Sequence, residues 1–358
     1  MAATPSNLES TLYPKITTHI SEIIEGLQAL DRDPKHPEAP TLLAPIPIIG
    51  TAKLHGTHAD ILVHPNNTLT FQSRNLTSLT PSKDNAGFAA AMSSKTATLL
   101  HLRDLYLTRW SELNPTATLH QHHPVVIAGE WIGEKIQKDV AISQLSRRFV
   151  IVSVKVNGVW QNDQEYAGIS LEADGIYNVS RAGLYHATLC PQDMARTITQ
   201  VEELAEQVAA RCPFAATFGL TGLGEGIVWK MACAKYNGDA SLWFKTKGGV
   251  FKPKLFRAQQ QSRMDDGVVV KRKAARAAAE TWCSVQRLEQ GWDVMREKGV
   301  RRDGSGAGVY VEWVKRDILV EEKRGIRDEG VDEEMLVVEI GKIARAWYKK
   351  RVRVEAGY

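Results

Sequence analysis

Four short islands of sequence hold the residue types that chemistry at a phosphate requires. Lys53-Leu54-His55-Gly56-Thr57 sets a lysine, a histidine and a glycine between two runs of strand character. Gly129-Glu130-Trp131-Ile132-Gly133 closes a strongly apolar run, with Gln137-Lys138 just behind it. Glu225-Gly226-Ile227-Val228-Trp229-Lys230 begins with a carboxylate and ends with a lysine, and Lys245-Thr246-Lys247 places two cations at alternate positions of the next run. Each island alone has a structural explanation, surface charge or a strand end; four in this order point to a site. An amine attacks only when neutral, and an unperturbed lysine is neutral in well under about one molecule in a thousand at pH 7. Nearby cations and desolvation lower a lysine pKa by several units. Lys245 and Lys247, brought opposite Lys53 across paired strands, are therefore expected to keep that amine reactive and to contact phosphates. Transfer of a phosphoryl or nucleotidyl group asks mainly for alignment and charge neutralisation. Glu225 is the expected metal-facing carboxylate, and Lys230 a phosphate contact.

The elements that must position these residues are legible in outline. Ile16, Ile20, Ile23, Ile24, Leu27 and Leu30 recur at helical spacing behind Pro14, which suits a first helical turn. A proline-rich stretch from Pro34 to Pro47 ends that helix. Ala59 to Val63 and Thr68 to Ser73 read as a hairpin around Pro65-Asn66-Asn67. A helical region follows from about Asn85 to Leu113. Strands are expected at Pro124 to Ile132 and Phe149 to Val156, the second turning at Asn157-Gly158, a type I′ signal. A helix from Gln192 to Arg211 precedes strands at Gly226 to Met231 and Ser241 to Lys247. Beyond Gly267 the pattern is helical: Val268 to Lys298, Val309 to Glu322 and Val331 to Arg351, with Gly304-Ser305-Gly306-Ala307-Gly308 as a loop. The fold class is α+β: a largely antiparallel β domain with flanking helices over 1–262, then an all-helical domain over 263–358.

Taken together, the islands resemble the ordered signature of covalent nucleotidyltransferases, the superfamily of ATP-dependent ligases and mRNA capping enzymes. His55 with Gly56-Thr57, in place of the aspartate-glycine of DNA ligases, and Gly129-Glu130-Trp131 followed by Gly133 and Ile136-Gln137-Lys138 are similar to the phage RNA ligase 2 family. That resemblance spans most of the chain and implies an ATP-grasp-like nucleotidyltransferase domain, with a C-terminal helical domain where DNA ligases and capping enzymes carry an OB fold. It implies ATP as AMP donor, Mg²⁺ or Mn²⁺, and RNA with 3′-hydroxyl and 5′-phosphate ends, joined through a lysyl-AMP and an adenylylated RNA end. By the same resemblance Lys53, His55, Gly56, Arg74, Glu130, Phe149, Lys230, Lys245 and Lys247 contact the nucleotide, Glu130 through the ribose and Arg74 through ribose or phosphate. The chain departs from the family at four places. Val152 holds the usual position of the ring that stacks on adenine and Ser153 that of an adjoining acid, while Phe149 is retained, as core or as platform. His58 replaces an asparagine, and Ala52 a glutamate. A DNA ligase, a guanylyltransferase and a catalytically silent RNA-binding module are the alternatives.

Composition is compatible with this reading. The chain has 358 residues, of which 43% are hydrophobic and 24% charged, enough for two domains. Its net charge of +4 is uneven: ten basic residues between Lys245 and Arg276 face only Asp265 and Asp266, giving +8 there and about −4 elsewhere. Such a segment suits a polyphosphate partner or a solvated linker and helix face. Cys190, Cys212, Cys233 and Cys283 lack the close spacing of a zinc or redox motif. No run approaches the roughly 20 apolar residues of a membrane span, and the N-terminus lacks a secretory pattern. A cytosolic or nuclear monomer is the expectation. His120, His122 and His123 suit an exposed loop, and Trp282, Trp292, Trp313 and Trp347 a small helical core.

Overall fold

A computed structural model describes residues 13–33, 42–84, 86–252 and 267–355. The chain divides into two compact units, Met1–Phe251 and Lys252–Tyr358. The expected boundary at 262/263 lies outside the described residues, as do part of the proline-rich stretch, Asn85, and Lys254, Arg257 and Arg263 of the basic segment.

In the first unit the chain forms α1 (Ile20–Leu30), β1 (Ile46–Lys53), β2 (Thr57–Val63), β3 (Leu69–Ser73), α2 (Phe88–Ser93), α3 (Thr96–Leu113), β4 (Val125–Ile132), β5 (Arg148–Val156), β6 (Val159–Trp160), β7 (Ile176–Asn178), β8 (Tyr185–Leu189), α4 (Met194–Ala210), α5 (Pro213–Ala216), β9 (Gly226–Met231) and β10 (Phe244–Lys247). Two sheets result, one ordered β10-β9-β1-β8 and the other β3-β2-β4-β5-β6, with β7 parallel to β5. All other pairings are antiparallel. Strand alternation assigns each sheet two faces. In the first sheet, Ile227, Trp229 and Phe244 pack toward α1 and α4. In the second, Ile61, Ile127, Phe149 and Ile151 pack toward α2 and α3. The remaining faces meet each other, where Leu62, Val126 and Ala128 of one sheet share a cluster with Val228 of the other. The site lies between these faces.

The expected hairpin and both Asn157-Gly158 strands are present; Asn157 (φ 55°) and Gly158 (φ 80°) both take the left-handed conformation that a type I′ turn demands. Three helical expectations are corrected. The first helix starts at Ile20 rather than near Pro14, because Thr17 pairs with Phe244 at the edge of β10 and holds the preceding residues extended. The region expected from Asn85 breaks between α2 and α3, where Ser93 and Ser94 turn their hydroxyls back onto the carbonyls of Ala90 (3.2 Å) and Ala91 (2.9 Å). The helix expected over Val268 to Lys298 is two helices.

That second unit contains α6 (Gly267–Trp282), α7 (Val285–Glu297), α8 (Ala307–Glu321), α9 (Lys323–Asp328) and α10 (Glu333–Glu355). Ser284 caps α7 by accepting the Arg287 backbone N–H, which starts a new helix. Trp292, Tyr310 and Tyr348 are fully buried at the centre of this unit, with Trp282 beside them and Trp313 and Trp347 packed at its margin.

Candidate active site

Lys53 ends β1, Gly226 begins β9 and Lys247 ends β10, and the register puts these three in one row across the sheet. Gly226 must lack a side chain there, since a Cβ would stand 2.0 Å from the Thr246 carbonyl oxygen. Lys53 and Lys247 therefore flank a gap in the row, and Glu225, one residue earlier, bridges it. Its Oε2 accepts from Lys53 Nζ at 2.7 Å and its Oε1 pairs with Lys247 Nζ at 2.8 Å. His55 Nδ1 lies 3.3 Å from the same Oε2, its ring 4.8 Å from that of Phe251. Glu225 is 1% exposed, whereas Lys53 and Lys247 retain 21% and 26%. Burial alone would push the Glu225 carboxyl up, but Lys247, Lys53 and His55 together hold it well below the usual carboxylate range.

The opposite wall is built by β2 and β4. His58 pairs across the strands with Glu130, and Asp60 with Ala128, so these side chains share the cleft face. Glu130 is partly buried, and no side-chain hydrogen bond reaches its carboxylate among the described residues. Burial pushes its carboxyl up; His58, Lys53 and Arg74 offset part of that, and Glu225 adds to it. Arg74 is exposed immediately after β3, close enough to act on Glu130. Gly56 is held tightly by this wall: a Cβ on it would lie 2.7 Å from Ile132 Cγ2 and 3.0 Å from Glu130 Oε2.

Several expectations are met by this geometry and others are not. Lys53, His55, Gly56, Glu130, Glu225 and Lys247 come together. Lys245 stands two rows further along β10, level with Val228, and is half-buried. The cationic field expected around Lys53 is interrupted by an anion, because Glu225 lies between it and Lys247. Lys230 is not in the phosphate row. It pairs with Ile49, four residues from Lys53 along the strand, or about 13 Å. There it is 4% exposed, bonded to Ser153 and paired with Asp163 at 2.6 Å, with its Nζ 3.9 Å from the centre of the Trp243 ring. Phe149 is no nucleotide platform. It is fully buried on the other face of its sheet, 5.5 Å from the ring of Phe88, and leaves no room for a Cβ at Gly129.

Four residues of the cleft escaped the sequence reading as site residues: Tyr13, Asp60, Ser153 and Asp163. Ser153 Oγ donates to Asp163 Oδ1 at 2.9 Å, and the two hold Lys230. Asp60 is fully buried with its Oδ1 2.9 Å from His58 Nε2. The alternation of His58 with Asp60 on one strand was the available signal for that pair.

No three His, Cys, Asp or Glu side chains converge on a metal position among the described residues, the His120, His122 and His123 group included. Asp60 and Asp163 are taken up by His58 and Lys230, so the carboxylates beside Lys53 are Glu225 and Glu130, within electrostatic reach of each other. One or two carboxylates are what Mg²⁺ takes from a protein when water and substrate phosphates complete its shell. This donor set thus fits a substrate-bridged divalent ion better than a protein-only cage.

A sequence description of one family, RNA ligase, matches residues 46–247, which is more than half of the chain. Among solved structures, the Naegleria gruberi RNA ligase with PPi is similar at 16% identity and TM-score 0.41, over 69% of this chain and 61% of that one. A mutant of the same ligase with ATP and Mn is similar at 15% identity and TM-score 0.39, over 67% and 57%. This chain thus spans less than two thirds of the length of either. No curated protein matches.

Proposed function

The chain belongs to the RNA ligase family, and from that premise we propose that it joins RNA ends at the expense of ATP, with Lys53 as the nucleophile. What carries the reading is the row Lys53–Glu225–Lys247: an amine and a second cation held on either side of one buried carboxylate, at the mouth of a cleft. In the first step the neutral amine of Lys53 attacks the α-phosphorus of ATP. An N–P bond forms, the bond to the β-phosphate oxygen breaks, and pyrophosphate leaves. Lys247 and Lys245 neutralise the polyphosphate. As Lys247 turns to phosphate, Glu225 is left with Lys53 and His55 and becomes the acceptor for the proton that Lys53 must lose. In the second step an RNA 5′-phosphate oxygen attacks the lysyl-AMP phosphorus and returns the amine. In the third, a 3′-hydroxyl attacks the adenylylated end, the strand is sealed and AMP departs.

Glu225 and Glu130 are the residues that would hold a divalent ion, whose contribution is to spread the charge of the phosphates. Glu130 also suits the ribose hydroxyls, since its carboxylate has acceptor capacity to spare, and Arg74 beside it suits a phosphate or sugar oxygen. His55 and Gly56 shape the turn that brings Lys53 to them. The first unit would thus supply nucleotidyl transfer, and the helical unit, with the basic segment that leads into it, would position the RNA end.

The test is sealing of a nicked RNA duplex by the purified chain with ATP and Mg²⁺, the products resolved by length. Sealed strand, with an adenylylated intermediate that accumulates when the 3′-hydroxyl is replaced by hydrogen, is the expected outcome. Sealing only of a DNA nick, or labelling from GTP alone, would reassign the substrate. Absence of any product with either nucleotide would leave a binding protein.

A further inference from the structure

Tyr13 reaches the cleft from a segment that belongs to neither sheet, and nothing above gives it a task. The segment is fixed at its far end, where Thr17 pairs with Phe244 and its carbonyl accepts the Lys245 backbone N–H at 2.8 Å. At its near end the Tyr13 backbone N–H donates to Asp60 Oδ2 at 3.4 Å. The ring is stacked on His58, with centroids 5.3 Å apart and planes 29° apart, and it meets Trp160 edge-on at 5.5 Å and Trp243 at 5.6 Å. Its hydroxyl comes within hydrogen-bonding reach of Ser153, beside Lys230, and within electrostatic range of Asp163, Arg74 and Glu130. Tyr13 therefore spans the interval between the Lys53 row and the Lys230 position.

The strands lining that interval offer aliphatic walls. Val228 projects from the first sheet. Val152 comes from the second, as the extra residue of a bulge: Ser153 pairs with Ala128 and Ile151 with Gly129, which leaves Val152 unpaired. In the apolar cluster between the sheets Trp160 and Trp243 are 6% and 1% exposed and present no free face, while Tyr13, Val152 and Val228 stay partly open. An aromatic platform in this cleft can come only from Tyr13 among the described residues of that cluster.

We propose that Tyr13 is a nucleotide-positioning residue, the ring against which the base of the nucleotide stacks while its phosphates lie at Lys53 and Lys247. This assignment rests on the reading of the site as a nucleotidyl-transfer centre and adds the residue that binds the base. The ring is held from three sides before any ligand arrives, so little of the stacking energy is spent on ordering it.

The test uses the full-length chain and two probes in direct binding titrations: α,β-methylene-ATP, which cannot transfer AMP, and inorganic tripolyphosphate, which lacks a base. Tyr13→Ala should weaken α,β-methylene-ATP by roughly 5- to 150-fold, the range for loss of one base–aromatic stack, and leave tripolyphosphate unchanged. Tyr13→Phe, which keeps the ring, should bind both as wild type does. Unchanged or tighter binding of α,β-methylene-ATP by Tyr13→Ala would overturn the assignment, since the ring would then merely fill the cleft. Equal loss of both probes would also overturn it, in favour of a structural role. Failure of the wild type to bind α,β-methylene-ATP would overturn the assignment together with the reading beneath it.

Discussion

Two lysine–carboxylate groups lie on the same face of one strand register and differ in nearly everything else. Around Glu225 the carboxylate is buried, but both lysines keep about a quarter of their surface open. Around Lys230 the lysine and Asp163 are 4% and 8% exposed, and Ser153 closes the group. The first can exchange partners when a polyanion arrives; the second has satisfied itself. Lysine next to carboxylate is thus not a function, and what separates a working site from an internal brace is whether the cations remain within reach of solvent.

The sharpest way to break this comparison is to remove one member of the sealed pair. Burial pushes the Lys230 ammonium pKa down and Asp163 offsets part of this, so Lys230→Met strands a buried carboxylate and should cost about 3–5 kcal/mol of unfolding free energy in denaturant titrations. The double replacement Lys230→Met with Asp163→Leu should recover much of that loss. Next in size is Lys247→Ala, which leaves folding nearly intact and should slow AMP transfer to the protein by about 10²- to 10³-fold, measured under single-turnover conditions with saturating ATP. Should Lys247→Ala unfold the protein and Lys230→Met only slow the chemistry, the two groups have been assigned the wrong way round.

Two smaller effects depend on pH. The Glu225 carboxyl is held lower in the fold than in the unfolded chain, so its contribution is complete above the unfolded value of about 4.3 and is lost as pH falls through the lower, folded one. Wild type should therefore lose stability more steeply below about pH 4 than Glu225→Gln does. Glu130 has the opposite sign. Its carboxyl is raised, so ionisation works against the fold, and Glu130→Gln should raise stability by about 1 kcal/mol at pH 8 while impairing nucleotide binding. That gain should shrink in acid, where wild-type Glu130 is itself protonated; a thermal melt at both pH values reads it.

Much of the β framework was legible because its signals are local: alternation in β2, β4 and β5, and the Asn157-Gly158 turn. The order of the islands was legible too, and β1, β9 and β10 deliver Lys53, Glu225 and Lys247 to one row. Lys230 was misread because spacing within a strand fixes its face but not how far along the cleft it stands. Phe149 needed the parity of β5 against the bulge at Val152, which only pairing reveals. Tyr13 was hidden by a helical pattern: Ile16 shares the spacing of Ile20 and Ile23, yet an edge strand claims Thr17 and holds the segment extended. Asp163 lies in a polar turn after β6, and no local pattern ties it to a lysine 67 positions later.

The central claim is that the Lys53 amine forms a bond to AMP. Incubating the protein with α-labelled ATP and Mg²⁺, digesting it and locating the label by mass spectrometry tests this most directly. The account predicts one acid-labile AMP adduct on Lys53, absent from Lys53→Ala and discharged by added pyrophosphate or 5′-phosphorylated RNA. Label on another residue, or undiminished labelling of Lys53→Ala, would contradict it.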